Sequence, residues 1–170
     1  ALATGIGAVK LAKMAEDAAL AYARYETMGA AMVTVGNNAG YTASQTAEYE
    51  KKLRSTGIAM TESRETLTKM AASHIDLAKA TDLARIAQDA AVVGNINSSE
   101  AFDRMINGIR SAEVEVLRGI GLNVNFEESY KKLGAQLGKN AQDLTETEKT
   151  QARVNVVVAA GVGIAGTYEA

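Results

Sequence analysis

The residues whose types and spacing come closest to a chemical motif lie near the C-terminal end. Gly161-Val162-Gly163-Ile164-Ala165-Gly166 fits G-x-G-x-x-G, and the β-branched run from Val154 to Val158 precedes it. In a dinucleotide-binding fold such glycines let the backbone approach a pyrophosphate at a helix N-terminus. That chemistry also needs a helix after the loop and an acid about 20 residues further on. Four residues follow Gly166, so neither element is visible. The preferred reading is a stripe of small residues on a helix capped at Thr145.

His74 is the only histidine. It stands outside any Glu-x-x-His arrangement for a metal, and no serine sits at a nucleophile elbow. On a mostly exposed helix it reads as a surface or interface residue. The pairs Glu127 with Glu128 and Glu146 with Glu148 fall in first turns of expected helices, where capping accounts for them. A glycosidase would need two acids held across a cleft. Cysteine is absent, which removes disulfides and thiolate metal sites. The expectation is a chain with no catalytic, cofactor-binding or metal-ligating residue, and not an enzyme in its own right.

The elements that would hold any site are helices. None of the 170 residues is proline, the strongest breaker of helix interiors. Alanine, the best helix former, supplies about a fifth of the chain. Alanine also buries little area, so much of the 47% apolar content drives a core weakly. A net charge of -2, dispersed Lys and Arg and 5% aromatics give neither a phosphate-tracking stripe nor a base-stacking platform. Specific nucleic-acid binding is therefore not expected. The first ten residues lack the basic start of a signal peptide. About fifteen residues from Val154 to Tyr168 are too few for a membrane span. Both ends read as cuts within a longer protein.

Capping boxes punctuate the chain: Thr42 with Gln45, Asn97 with Glu100, Asn125 with Glu128 and Thr145 with Glu148. Thr61, followed by Glu62 and Glu65, is a looser start. Glycine and asparagine clusters such as Gly36 to Gly40, Gly94-Asn95 and Gly138 to Asn140 mark stops. The pattern predicts helices near 8–35, 42–55, 61–93, 98–118, 126–138 and 145–166. Val114 to Phe126 alternates and leaves a short β-hairpin open. Ala8, Ala12, Ala15, Ala19 and Tyr22, continuing to Gly29, Val33 and Gly36, form a seam of small residues. Leu83, Ile86, Ala90 and Val93 form a second. Glu26 interrupts the first, so a sustained coiled coil is not expected. The second is covered either by a partner or by helix 98–118.

One order of segments is specific. It runs Leu83-Ala84-Arg85-Ile86-Ala87-Gln88-Asp89-Ala90-Ala91, then Gly94-Asn95-Ile96-Asn97-Ser98-Ser99-Glu100-Ala101, then Val116-Leu117-Arg118-Gly119-Ile120-Gly121-Leu122-Asn123-Val124. Leu144-Thr145-Glu146-Thr147-Glu148-Lys149-Thr150-Gln151-Ala152-Arg153 and Ile164-Ala165-Gly166-Thr167-Tyr168 complete it. Over roughly 57–168 this resembles the tail length tape measure proteins of long-tailed bacteriophages and prophages. Residues 1–56 share only the style, a long Ala-rich helix and a Gly-Tyr-Thr turn.

The absent proline and the caps predict an all-α chain of elongated helices and helical hairpins joined by short Gly/Asn turns, and the seams leave coiled-coil association open. The resemblance implies a long, mainly helical chain. It implies an Ala-rich helix over 1–40 and a tape-measure-like helical region over 41–170. The implied role is a virion component that templates tail tube polymerisation, sets tail length and occupies the tail lumen. Implied partners are the tail tube protein, tail assembly chaperones, tail tip proteins and further copies of the chain. Assembly would take place in the host cytoplasm, and membrane contact would be confined to ejection. No cofactor, catalytic residue or lytic domain is carried over. Fully helical and straight, 170 residues would measure at most about 255 Å. The alternative is a helical binding module without a tail role, of helix-turn-helix style around Thr42 to Ala72. There Glu62 and Glu65 balance Arg64 and Lys69, unlike a basic recognition helix.

Overall fold

The computed structural model describes the backbone of residues 2–170 and the side chains from Val9 onward. Helix accounts for 78% of the chain, and no strand occurs among the described residues. Eight α-helices follow in order: α1 Leu2–Asn38, α2 Ala43–Ser55, α3 Met60–Ala72, α4 Ala80–Gly94, α5 Ser98–Ser111, α6 Val114–Arg118, α7 Phe126–Leu137 and α8 Glu146–Gly161. Single 3-10 turns occupy Leu77–Lys79, Ala141–Asp143 and Val162–Ile164.

The starts follow from side-chain chemistry. Thr42 and Thr145 form complete capping boxes with Gln45 and Glu148. Asn97 and Asn125 accept the N–H of Glu100 and Glu128. The start near Thr61 is different. α3 begins one residue earlier, after Ala59, which has no capping side chain. Its N–H is satisfied instead by Ser99 Oγ from the first turn of α5, at 2.9 Å. At Thr145 the box is reinforced by Lys139, whose Nζ lies 2.6 Å from Glu148. The Lys139 hydrogen bond, then those from Thr145, hold the Glu148 carboxyl down to about 2. A depressed folded-state pKa places this contribution above the ordinary carboxylate range. It fades as the pH falls toward about 2.

The stops share one device. After α1, α3, α4, α5, α6 and α7 a residue with positive φ turns the chain: Gly40, His74, Asn95, Ala112, Gly121 and Gly138. In each case the next N–H reaches back five residues, as from Ile75 to Met70 at 2.9 Å and from Glu113 to Gly108 at 2.9 Å. This is the Schellman closure, which satisfies carbonyls that a helix end leaves free. Two of its occupants, His74 and Ala112, are neither Gly nor Asn. They divide the expected helices 61–93 and 98–118. His74 is exposed, as expected, but sits in a turn at φ 57 rather than on a helix. The hairpin left open over Val114 to Phe126 does not form. Those residues make α6 and a turn that buries Leu117, Ile120 and Leu122. The last helix stops at Gly161 rather than running to 166.

The core is built around Phe102, Met105, Ile106 and Ile109 on one face of α5. α4 lays Ala80, Leu83, Ala84, Ala87 and Ala90 against it, and α3 adds Leu67 and Met70. Alanines on α4 and Gly108 on α5 shorten the distances. A Cβ at Gly108 would come within 2.7 Å of Leu117, so α6 folds back on bare backbone. The second seam is therefore covered inside the chain, with one exception: Val93 remains 47% exposed.

α1 divides in two. From Tyr25 onward it packs on α2 and α3. Gly29 lies against Arg64 and Gly36 against Thr46, where an added Cβ would come within 2.5 Å in each case. Earlier in the helix, Ala12, Ala15, Ala19 and Tyr22 of the first seam are exposed. The side chain of Ala8 lies outside the described residues.

Candidate functional site

The glycine motif is a packing feature with an ordinary turn behind it. Gly161 is the last residue of α8, and a Cβ there would stand 2.8 Å from Ile86 on α4. Gly163 has open space around it. Gly166 turns the chain at φ 83. The backbone then returns to α4, where the Tyr168 N–H and the Thr167 hydroxyl donate to Asp89. Gly161→Ala is expected to lose about 1–3 kcal/mol through overpacking, whereas Gly163→Ala should stay within about 0.5 kcal/mol. Chemical denaturation of both variants checks this. A loop used for phosphate would show the opposite dependence in ligand binding, with Gly163 needed for close approach.

The acids divide by environment. Glu127 and Glu128 are exposed in the first turn of α7, and Glu146 pairs with Lys149 at 3.3 Å. A recess of about 260 Å³ between the starts of α3 and α5 gathers Glu62, Glu65, Glu100 and Asp103. Lys69 bridges it, 2.8 Å from Glu65 and 2.6 Å from Asp103. Burial disfavours the charge on Lys69, but the two carboxylates outweigh it and hold its pKa above the usual lysine value. Arg104 takes Glu100 at 2.6 Å. No group of three or more His, Asp or Glu among the described residues could hold a metal ion. With Arg64 committed to Glu50 and Lys69 to Glu65 and Asp103, both cations of α3 serve internal pairs.

Two surfaces could receive a macromolecule. A groove of about 670 Å³ runs between α7 and α8. Val124, Leu133 and Val156 give it an apolar floor, and Arg118, Lys132 and Asn155 stand among its polar residues. The other surface is the free half of α1. Every residue from Val9 to Arg24 is exposed. At 100° per residue, Lys10, Lys13, Glu16, Asp17 and Arg24 fall within about 120° of its circumference. Leu11, Met14, Ala18 and Tyr22 occupy the opposite, uncharged side, with Leu11 68%, Met14 66% and Tyr22 66% exposed. That stripe has a sequel. Tyr25, Gly29, Met32 and Gly36 continue it at spacings of three and four, and there α2 and α3 cover it. The seam expected from the sequence runs beside this stripe through Ala12, Ala15 and Ala19, and shares with it Tyr22, Gly29 and Gly36. That the stripe is covered over one half and bare over the other is not legible in the sequence.

No helix among the described residues is long and apolar enough to cross a membrane. No protein-family model, no curated protein and no solved structure matches this chain.

Proposed function

We propose that this chain is a structural assembly module without a catalytic role, working as a segment of a phage tail tape measure protein. The observation that carries an assembly role is the bare continuation of the α1 stripe through Tyr22, Ala18, Met14 and Leu11. Contiguous exposed apolar surface on a charged protein marks a place where another chain sits. Its spacing of three and four suits helix–helix packing of the coiled-coil kind, with a further copy or a tail protein as the cover. The tail role itself rests on the segment order over 57–168, which resembles tape measure proteins. In that role the partners are the tail tube protein, the assembly chaperones and the tip proteins, and the site of action is the tail lumen of the virion.

The ruler mechanism makes a metric demand. An extended helix advances about 1.5 Å per residue, so in-frame removal of these 170 residues from the phage gene should shorten tails by up to about 255 Å. Electron microscopy of tails from the deletion phage measures it. Tails of unchanged length would overturn the ruler role. The α7–α8 groove favours a second reading, a helical binding module with no tail role. Under it the deletion leaves tail length alone and removes a partner.

A further inference from the structure

Arg153 is 6% exposed, and no Asp or Glu among the described residues lies within ion-pairing distance of it. Its two Nη groups donate to neutral hydroxyls, Nη1 to Tyr130 at 2.9 Å and Nη2 to Thr150 at 2.8 Å. Its Nε is buried with no partner at all. A guanidinium cannot shed its proton in a protein, so the charge persists. A buried charge without a counter-ion is costly, and native structures avoid it.

The hydroxyls sharpen the imbalance. Tyr130 and Thr150 each accept from Arg153, and neither donates to a described residue. Five hydrogens therefore lack an acceptor among the described residues: Arg153 Nε–H, the second hydrogen on each Arg153 Nη, Tyr130 O–H and Thr150 O–H. They surround one fixed positive charge. Tyr130 is held in place by its stacking on Phe126, with centroids 6.5 Å apart and planes at 18°. The cluster thus joins α7 to α8 with spare donors and no anionic acceptor.

We propose that this cluster binds a small oxyanion of the phosphate or carboxylate class, with Arg153 as its counter-charge and Tyr130 and Thr150 as its hydroxyl donors. Guanidinium forks match such oxyanions, and charge-assisted hydrogen bonds are the strong ones. The slight exposure of Arg153 suits an ion of a few atoms rather than a segment of another chain. Ion binding would fasten α7 to α8.

The test is thermal unfolding of the whole chain, followed by circular dichroism at constant ionic strength, with chloride exchanged for inorganic phosphate and, in a separate arm, for acetate. The midpoint should rise saturably, by roughly 5–10 °C at hundredfold excess over Kd. Tyr130→Phe, which keeps the ring stack, should weaken the apparent affinity, and Arg153→Met should abolish the response. An equal rise in Arg153→Met would mean general salt stabilisation, and no rise in the wild type would mean that the donors take water. Either result overturns the site. Should Arg153→Met fail to fold, equilibrium dialysis of phosphate against the wild type and Tyr130→Phe decides, and equal or absent binding overturns it.

Discussion

Glu50→Ala is expected to remove about 3 kcal/mol of stability, near the lower end of the range for deleting one member of a buried ion pair. Glu50 on α2 takes Arg64 Nε of α3 through both carboxylate oxygens at 3.1 Å, with side chains 9% and 16% exposed. The same carboxylate accepts the Tyr25 hydroxyl of α1 at 2.7 Å. Arg64 Nη1 donates to the Tyr25 carbonyl at 2.6 Å, and the guanidinium lies 3.4 Å from the centre of the Tyr25 ring. Three helices thus meet at one carboxylate. Removing it leaves Arg64 charged and largely desolvated, since Gly29 presents only backbone on that side. Tyr25→Phe keeps the ring under Arg64 and deletes one hydrogen bond, so it should lose only about 1 kcal/mol. Urea unfolding of the two variants gives the ratio. A loss below about 1 kcal/mol for Glu50→Ala would mean that water, not Glu50, carries the charge of Arg64.

Sequence spacing showed half of this junction. Gly29 and Gly36 stand in a seam of small residues, and the spacing says correctly that something approaches α1 closely there. It cannot say that the neighbours are Arg64 and Thr46, because the pairing spans the turns after α1 and α2. Nor does it show that Arg64 needs Glu50. The acids and bases of 61–72 balance in the sequence, and balance alone reads as a solvated surface.

The helix starts were legible because a cap is local chemistry, a hydroxyl or amide three residues before its target. The stops were legible only where the Schellman position held Gly or Asn. His74 and Ala112 adopt the same left-handed conformation against an intrinsic penalty of roughly 1–2 kcal/mol. Packing on either side repays that penalty. Ile75 and Leu77 are buried beyond the first turn, and Leu117 is buried on Gly108 beyond the second. Tertiary contacts therefore set these two breaks, and no window of sequence around them contains the reason. The absence of a motif was informative in a different way. The literal G-x-G-x-x-G dissolves into one close helix contact, one unconstrained position and one turn.

Ile86→Asp separates cover within the chain from cover by a partner. Ile86 faces Gly161 across the α4–α8 contact, where an added Cβ would meet three of its carbons within 2.9 Å. Aspartate there loses that packing and sets a charge against backbone that offers it no cation. The variant should lose about 3 kcal/mol, within the range for truncating a packed isoleucine, while its sedimentation matches that of the wild type. If instead a partner covered the seam, the variant would dissociate an oligomer and melt as the wild-type monomer does. The bare α1 stripe behaves in the converse way. Met14 is 66% exposed on the half of α1 where every described side chain is exposed, so Met14→Asp should leave the unfolding midpoint in place and lower the sedimentation coefficient of any oligomer. Oligomer loss in Ile86→Asp at full stability, or its persistence in Met14→Asp, would move the interface from α1 to α4. The assignment of roles to these two helices rests on one physical difference. The same kind of uncharged stripe is already filled on α4, by α5 and α8 of its own chain, and is open over half of α1.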